Sequence, residues 1–320
     1  MDDTKDKAQL DTLLSDEVGL NEEVSVNTAE TKDNDIILHS GNSLSVDDTY
    51  PITASCETKV IYLIGPFACG KTTIETSLYQ LFHNGDVNGI YFAGSETLNA
   101  YEQRAFNTRV QSYNNVPETP RTPLDSNDIF LHLRLWDCLK NKTTNYLFAD
   151  ISGEIFSAVK GSVDEAKKQL PYIKSADYIM CIIDGEKIID KKQRLAVVEE
   201  AKQLLRTFID ANMLKSDACI QFVFSKYDYI LNSGTDEAIE FIENQKNKLR
   251  AYFADMASVI QFFNVAAMPE RTERCEVGYG LKDVLASWES VPSAFVSENK
   301  MNVKAEINKL KYKLLGGHDE

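Results

Sequence analysis

The sequence has no long apolar run, few histidines and no closely spaced cysteines, and each absence excludes a class of protein. No stretch approaches the roughly 20 apolar residues that cross a bilayer, which excludes a multi-span membrane protein. The four histidines lack metal-ligand spacing, which argues against a structural zinc site. The six cysteines lie far apart without a C-x-x-C pair, which indicates reduced thiols and not a disulfide framework.

Negative charge is concentrated near the start of the sequence. The net charge of the 320 residues is −15, and residues 1–50 hold thirteen acidic side chains against three lysines, with no Phe or Trp. Such a segment buries too little apolar surface to offset its ordering entropy, so we expect residues 1–57 to form an acidic, disordered arm. The arm is either a solvated tail or a docking segment for a protein partner, and its acidity argues against nucleic-acid binding. The first residues carry no secretory or myristoylation signal, and we expect a cytoplasmic protein.

Between residues 58 and 290, apolar segments alternate with amphipathic ones. Predicted strands cover residues 59–65, 129–136, 145–150, 177–184, 219–224 and 259–265. Predicted helices cover residues 71–82, 195–208, 239–253 and 281–288. Strands that are apolar on both faces and separated by helices predict an α/β domain, with helices on both faces of a mostly parallel six-stranded sheet. The short link between the second and third strands predicts one antiparallel edge strand.

Two segments stand apart from this alternation. An insertion at residues 83–128 precedes the second core strand, with a short predicted strand at 89–94, a helix at 97–112 and then a proline-rich extended path. Residues 291–320 form a basic tail whose predicted amphipathic helix, at 300–315, either packs on the domain or binds a partner.

The strongest chemical signal is a glycine-rich loop between the first strand and the first helix. It reads Gly65-Pro66-Phe67-Ala68-Cys69-Gly70-Lys71-Thr72, a complete Walker A motif, G-x-x-x-x-G-K-[ST]. Its glycines let the backbone wrap closely and direct N–H groups inward, and together with the helix N-terminus these donors suit a β-phosphate. We expect the Lys71 ammonium to reach the β- and γ-phosphates, the Thr72 hydroxyl to bind Mg²⁺ and Thr73 to touch the α-phosphate.

Two further motifs follow later strands. Asp150 ends an apolar strand, where it can hold Mg²⁺ through water, and Gly153 lets its N–H approach a γ-phosphate. The apolar strand predicted at 219–224 leads into the tetrad Ser225-Lys226-Tyr227-Asp228. The Asp228 carboxylate can accept two hydrogen bonds from guanine, whereas adenine lacks that pair of donors. The Lys226 stem can lie along the face of the base.

In this order, the P-loop, D-x-x-G and [NTS]-K-x-D motifs resemble the translation-factor-related (TRAFAC) class of P-loop GTPases, which includes Ras-like proteins. The resemblance spans roughly residues 58–290 and implies a Ras-like P-loop NTPase fold that binds GTP or GDP with Mg²⁺. Segments 94–98, 119–123 and 150–154 are also similar to bacterial GTPase domains of conflict or defence systems, the double-GTPase proteins. This similarity implies a regulatory protein that acts on a protein effector or co-encoded partner.

The resemblance also assigns binding residues. The phosphate-binding set it implies is Gly65, Ala68, Cys69, Gly70, Lys71, Thr72, Thr73 and Gly153. Ser225, Lys226 and Asp228 would read the base, although Ser225 stands where asparagine is commonest. Ala266 and Ala267 resemble the fifth GTPase motif, in which the Ala267 N–H would meet guanine O6, and Ala266 replaces the usual serine.

The resemblance defines the catalytic residues less completely. Glu154 stands where Ras-like proteins carry a water-orienting glutamine, so it either assists hydrolysis with Lys71 or repels the γ-phosphate and slows turnover. The first-switch threonine that caps Mg²⁺ is Thr122 or Thr119, and the neighbouring Arg121 is a candidate arginine finger in cis. We therefore expect a slow GTPase that switches loop conformation. The alternatives are a non-hydrolysing, nucleotide-gated scaffold and, with less support, a P-loop ATPase.

Overall fold

A seven-stranded sheet organises the computed structural model, which describes residues 40–106, 129–233, 236–270 and 274–289. The strand order across the sheet is β2-β3-β4-β1-β5-β6-β7. The strands are β1 (Thr58–Ile64), β2 (Ile90–Gly94), β3 (Phe130–Asp137), β4 (Lys142–Ala149), β5 (Tyr178–Asp184), β6 (Cys219–Ser225) and β7 (Val259–Asn264).

Helices within the described residues connect the strands and cover the sheet. They are α1 (Tyr50–Ser55), α2 (Lys71–Leu81), α3 (Leu98–Ala105), α4 (Gly153–Val159), α5 (Val163–Gln169), α6 (Gly185–Ile189), α7 (Arg194–Asp210), α8 (Tyr227–Asn232), α9 (Glu237–Phe253) and α10 (Leu281–Glu289). Short 3₁₀ turns lie at Asp47–Thr49, Phe82–Asn84 and Pro171–Ser175. Within the part of the chain that the structure describes, no helix is both long and apolar enough to cross a bilayer.

The mostly parallel α/β sheet is confirmed, but the expected count of six strands is corrected to seven. Strands β4, β1, β5, β6 and β7 pair in parallel, whereas β3 is antiparallel to β4. The short strand predicted within the insertion joins the sheet as β2, antiparallel to β3, with Tyr91 opposite Trp136. Because an unpaired edge leaves backbone N–H and C=O groups without partners, β2 completes the ladder that β3 would otherwise expose.

The sheet is covered on both faces by two separate hydrophobic cores. Successive side chains of a strand point to opposite faces, so Tyr62 and Ile64 of β1 join one core while Ile61 and Leu63 join the other. The first core lies against helices α4, α5, α7 and α9, and the second lies against α2, α3 and α10. This double burial explains why the strands read as continuous apolar runs.

The parallel strands end at one edge of the sheet. Gly65 follows β1, Asp150 follows β4, Asp184 ends β5, Ser225 ends β6 and Val265 follows β7. In open α/β sheets, ligands bind outside the carboxyl ends of the strands. The fold therefore collects the three sequence motifs at the edge where such sites occur.

Residues 40–57, which the sequence assigns to the acidic arm, pack on the domain instead. Leu44 is fully buried and exchanges two backbone hydrogen bonds, of 2.8 and 2.9 Å, with Phe130 at the start of β3. Ile52 of α1 is also buried in the core. These few apolar side chains pack against the sheet. The acidic composition of the segment as a whole gives no indication of this packing. The rest of the predicted arm, residues 1–39, lies outside the described residues, as do residues 107–128 and the predicted tail at 291–320.

Candidate nucleotide-binding site

The loop between β1 and α2 has a backbone that favours small residues. Gly70, directly before α2, has a φ of 96°, and Ala68 has a φ of 61°. Side chains larger than hydrogen are disfavoured at such angles, so glycine suits the sharp entry into the helix. The helix starts at once, since the Ile74 N–H donates to the Gly70 carbonyl at 3.0 Å. The first N–H groups of α2 have no partners within the helix, and the loop therefore has the arrangement typical of an anion site.

The Lys71 side chain folds back over this loop. Its ammonium donates to the carbonyl oxygens of Gly65 at 2.9 Å and Pro66 at 3.1 Å. It also lies 5.5 Å from the ring centroid of Phe156 in α4. A positive charge is thus held at the loop by neutral carbonyl acceptors. Phosphate oxygens can take the place of these acceptors and form stronger, charge-assisted hydrogen bonds with the ammonium.

The D-x-x-G segment packs directly on the P-loop. Gly153 is buried, and a Cβ built on it would lie 2.4 Å from the backbone nitrogen of Phe67. Glu154 follows at the start of α4, where its N–H donates to the Ser152 hydroxyl at 3.4 Å and its side chain is half-buried. The structure therefore brings Gly153 and the P-loop together.

Ser225 ties the base motif to the P-loop. Its hydroxyl lies 2.7 Å from the Cys69 carbonyl oxygen and 3.2 Å from that of Ile183, and the side chain is buried. The serine therefore spans the ends of β5 and β6 and reaches the loop.

Lys226 occupies a left-handed backbone position next to two carboxylates. Its φ is 48°, which is uncommon for a residue other than glycine and is often seen at functional sites. Its ammonium lies 3.1 Å from Asp184 and 2.8 Å from Glu186. Desolvation lowers the pKa of Lys226, but the bonds to Glu186 and Asp184 outweigh it and raise that pKa overall. The side chain is thereby held as a cation beside the end of β6.

Asp228 lies at the first turn of α8 beside the segment that follows β7. It is 2% exposed, and one of its carboxylate oxygens accepts the Glu270 N–H at 3.1 Å. Burial raises the pKa of Asp228 above its ordinary value. The Ala266 N–H donates to the Tyr279 carbonyl at 3.1 Å, and the Tyr279 ring stacks on Tyr227 with an interplanar angle of 2°. The Ser225–Asp228 tetrad and the segment at Ala266 and Ala267 are therefore neighbours.

A comparison with protein families agrees with this geometry. The family model described as Double-GTPase 2 matches residues 59–289. The chain belongs to the Double-GTPase 2 family. No curated protein matches the chain. The matched span includes all the motifs discussed above, and it bears out the resemblance to double-GTPase proteins that the sequence suggested.

The Double-GTPase 2 domain contains an ion pair that the sequence did not predict. The Arg104 guanidinium of α3 donates to one oxygen of Asp150 through Nε, at 2.9 Å, and through a terminal nitrogen. Their side chains are 16% and 3% exposed. The same guanidinium also donates to the Ala100 carbonyl and the Ser43 hydroxyl. No spacing rule connects Arg104 with Asp150, because 46 residues separate them.

A second unpredicted residue, Glu75, lies nearby in α2. It is 1% exposed, and its Oε2 has no hydrogen-bond partner among the described residues. Burial raises its pKa well above the usual range, and the charge of Asp150 raises it further, against smaller opposing effects of Arg104 and Lys71. One signal could have found it, since Glu75 follows Lys71 by four residues and is the one acidic residue of α2.

Other predicted residues divide between the site and the undescribed part of the chain. Thr72 and Thr73 lie half-buried in the first turn of α2, and the Cys69 thiol is fully buried, which raises its pKa. Thr122, Thr119 and Arg121 lie outside the described residues.

Proposed function

We propose that this protein binds GTP and GDP with Mg²⁺ at the carboxyl edge of its sheet, hydrolyses GTP slowly and changes loop conformation when the γ-phosphate leaves. The hydrogen bond between Ser225 and the Cys69 carbonyl carries the proposal, because it joins the phosphate loop to the base motif. Membership of a GTPase family supports the same ligand.

The phosphate end of the proposed site uses backbone amides and one ammonium group. The loop amides and the N-terminus of α2 bind the β-phosphate, and Lys71 exchanges the Gly65 and Pro66 carbonyls for phosphate oxygens. Thr72 and Asp150 supply oxygen ligands of the kind Mg²⁺ prefers. In this structure Asp150 pairs with the Arg104 guanidinium, which Mg²⁺ would have to displace. When bound, Mg²⁺ neutralises charge on the β- and γ-phosphates.

The base end supplies discrimination. The Asp228 carboxylate accepts the N1–H and 2-amino groups of guanine, and the Lys226 stem packs along the ring. The Ala266 N–H is already engaged with Tyr279, so the Ala267 amide is the candidate donor to guanine O6.

A nucleotide panel tests the binding proposal. We expect GDP and GTP, but not ATP, to raise the melting temperature of the full chain in the presence of Mg²⁺. Lys71→Ala should abolish the shift, and Lys282→Ala, on the exposed face of α10, is the matched control. Asp228→Asn should transfer the preference from guanosine to xanthosine nucleotides. Equal stabilisation by ATP and GTP would contradict guanine selectivity and favour a P-loop ATPase.

Hydrolysis of GTP in this proposal depends on the residues that follow Asp150. Gly153 and Glu154 follow Asp150 next to the P-loop, where Glu154 orients the attacking water or repels the γ-phosphate. The alternative is a nucleotide-gated scaffold that does not hydrolyse GTP, and repulsion between the Glu154 carboxylate and the γ-phosphate would favour it. Single-turnover phosphate release from pure protein separates this scaffold from a slow GTPase. A rate no higher than uncatalysed GTP loss would support the scaffold. The resemblance to conflict-system GTPases supports control of a protein partner, which nucleotide-dependent co-purification would test.

A further inference from the structure

Two buried oxygens without hydrogen-bond partners belong to the neighbouring helices α2 and α3. Among the described residues, Glu75 Oε2 and the Tyr101 hydroxyl are both buried and both lack a hydrogen bond. A buried polar group without a partner costs free energy, and a buried carboxylate costs most. Such a pair in one place indicates that another arrangement of the neighbouring side chains satisfies them.

Arg104 is the nearby donor that could satisfy Glu75. It follows Tyr101 by three residues in α3, so the two side chains share a helix face. The pKa of Glu75 responds to Arg104 and Asp150, and that of Tyr101 responds to Glu75, Arg104 and Asp150, so the four groups form one electrostatic cluster. In the present arrangement the guanidinium is directed to Asp150.

This arrangement conflicts with metal binding. The proposed function gives Asp150 to Mg²⁺, yet an Asp150 oxygen already accepts two N–H groups of Arg104. A divalent cation and a guanidinium repel each other, and both compete for the same carboxylate. Arg104 must therefore have a second position if Asp150 is to hold the metal.

We propose, building on the function above, that Arg104 exchanges partners, pairing with Asp150 without the metal and with Glu75 once Mg²⁺ engages Asp150. The exchange keeps the guanidinium paired in both states, and in the second state it gives the Glu75 carboxylate a partner. Arg104 and Glu75 are positioning residues in this scheme, because they act through Asp150 and not on the nucleotide.

A magnesium titration tests the exchange. The full chain is saturated with GMPPNP, a non-hydrolysable GTP analogue, and MgCl₂ is added from an EDTA baseline while the melting temperature is followed. Glu75→Gln removes the second partner of Arg104, so we expect the Mg²⁺ concentration for half-maximal shift to rise about tenfold. In the Arg104→Gln background, the same change at Glu75 should leave that Mg²⁺ concentration unaltered, because no guanidinium is then present to pair with Glu75.

Two controls separate the exchange from general effects of charge. Glu102→Gln, in α3, removes a carboxylate that bonds Tyr79, and Arg134→Gln, in β3, removes a guanidinium that bonds Asn145. Neither should move the half-maximal Mg²⁺ concentration. An equal rise for Glu75→Gln with and without Arg104, or no rise at all, would overturn the exchange.

A second variant keeps the test decisive if Glu75→Gln does not fold. Tyr101→Phe removes the other unpartnered oxygen without changing charge. Because the exchange gives this hydroxyl a partner in the Glu75–Arg104 pair only after Mg²⁺ engages Asp150, we expect the variant to raise the Mg²⁺ requirement in the same direction by a smaller factor. An unchanged requirement would overturn the exchange. Failure of the wild type to bind GMPPNP would refute the proposed function, whereas Mg²⁺-dependent binding that ignores these substitutions would refute the exchange alone.

Discussion

Gly153 and Phe67 approach so closely that no side chain fits between them. A Cβ on Gly153 would lie 2.4 Å from the Phe67 backbone nitrogen and 2.6 Å from its Cα. Both neighbours are backbone atoms, which cannot turn aside as the end of a side chain would. The close packing of the segment after Asp150 on the P-loop therefore requires a glycine at position 153.

We expect Gly153→Ala to separate these two segments. The clash should lower the free energy of unfolding by about 1–3 kcal/mol, and it should weaken the thermal shift given by GTP more than that given by GDP. Urea unfolding and nucleotide titration measure the two effects. Ala158→Ser, on the exposed side of the same helix, is the control. A Gly153→Ala protein with unaltered stability would show that the P-loop yields easily.

Ser225→Ala should loosen the P-loop from the end of β6. The change leaves the buried Cys69 and Ile183 carbonyls without this donor, so we expect a loss of about 1 kcal/mol of stability and weaker GDP binding. Ser233→Ala removes a hydroxyl that bonds the Ile230 carbonyl within one turn and should leave GDP binding intact. If both variants bind GDP equally well, the link between the motifs has no role in affinity.

The buried carboxyl of Asp228 should make stability depend on pH. Because desolvation raises its pKa above 3.8, the folded state holds the proton more tightly than the unfolded chain. The ionised form therefore costs stability once the pH exceeds the unfolded value, and the full cost applies above the raised pKa. We expect nucleotide-free Asp228→Asn to gain stability relative to the wild type over a pH window that starts at about 4 and ends above the raised pKa.

Urea midpoints at several pH values within that window measure the gain. Asp283→Asn, on the exposed face of α10, controls for the general effect of removing one negative charge. A constant difference between Asp228→Asn and the wild type across the window would contradict the raised pKa.

Cys69 should resist alkylation in spite of its place in the P-loop. Its thiol is fully buried and its pKa is raised by that burial, whereas the reactive species is an exposed thiolate. Cys56 and Cys138 are half-buried, and we expect iodoacetamide to label them first in the native protein. Peptide mapping by mass spectrometry follows the order of labelling, and urea should make all six cysteines reactive. Early labelling of Cys69 would indicate that the loop opens readily.

Much of the fold follows from patterns that a single sequence displays. Apolar runs on both strand faces indicate a parallel sheet with two covered faces, and Gly70-Lys71-Thr72 marks where the first strand gives way to a helix. The predicted strand at 89–94 could not be placed in the sheet, because pairing with β3 depends on contacts far apart in sequence. The packing of Leu44 against Phe130 escaped prediction for the same reason.

The site divides in the same way. Residues that belong to short motifs, such as Lys71 and Asp228, can be found from local spacing. Arg104 and Glu75 cannot be paired with Asp150 from sequence, because their relationship exists only after β1, β4 and two helices have assembled. Ser225 could be located but its contact with the Cys69 carbonyl could not.

The bridge between Leu44 and Phe130 bears on where the smallest autonomous folding unit starts. The family match begins at residue 59. A chain shortened to that point would lose Leu44, the backbone partner of Phe130, and the Ser43 hydroxyl that accepts a hydrogen bond from Arg104. Boundaries drawn from motifs would therefore cut through a cooperative structure, and recombinant fragments intended for crystallisation or calorimetry should retain the chain from residue 40 onward.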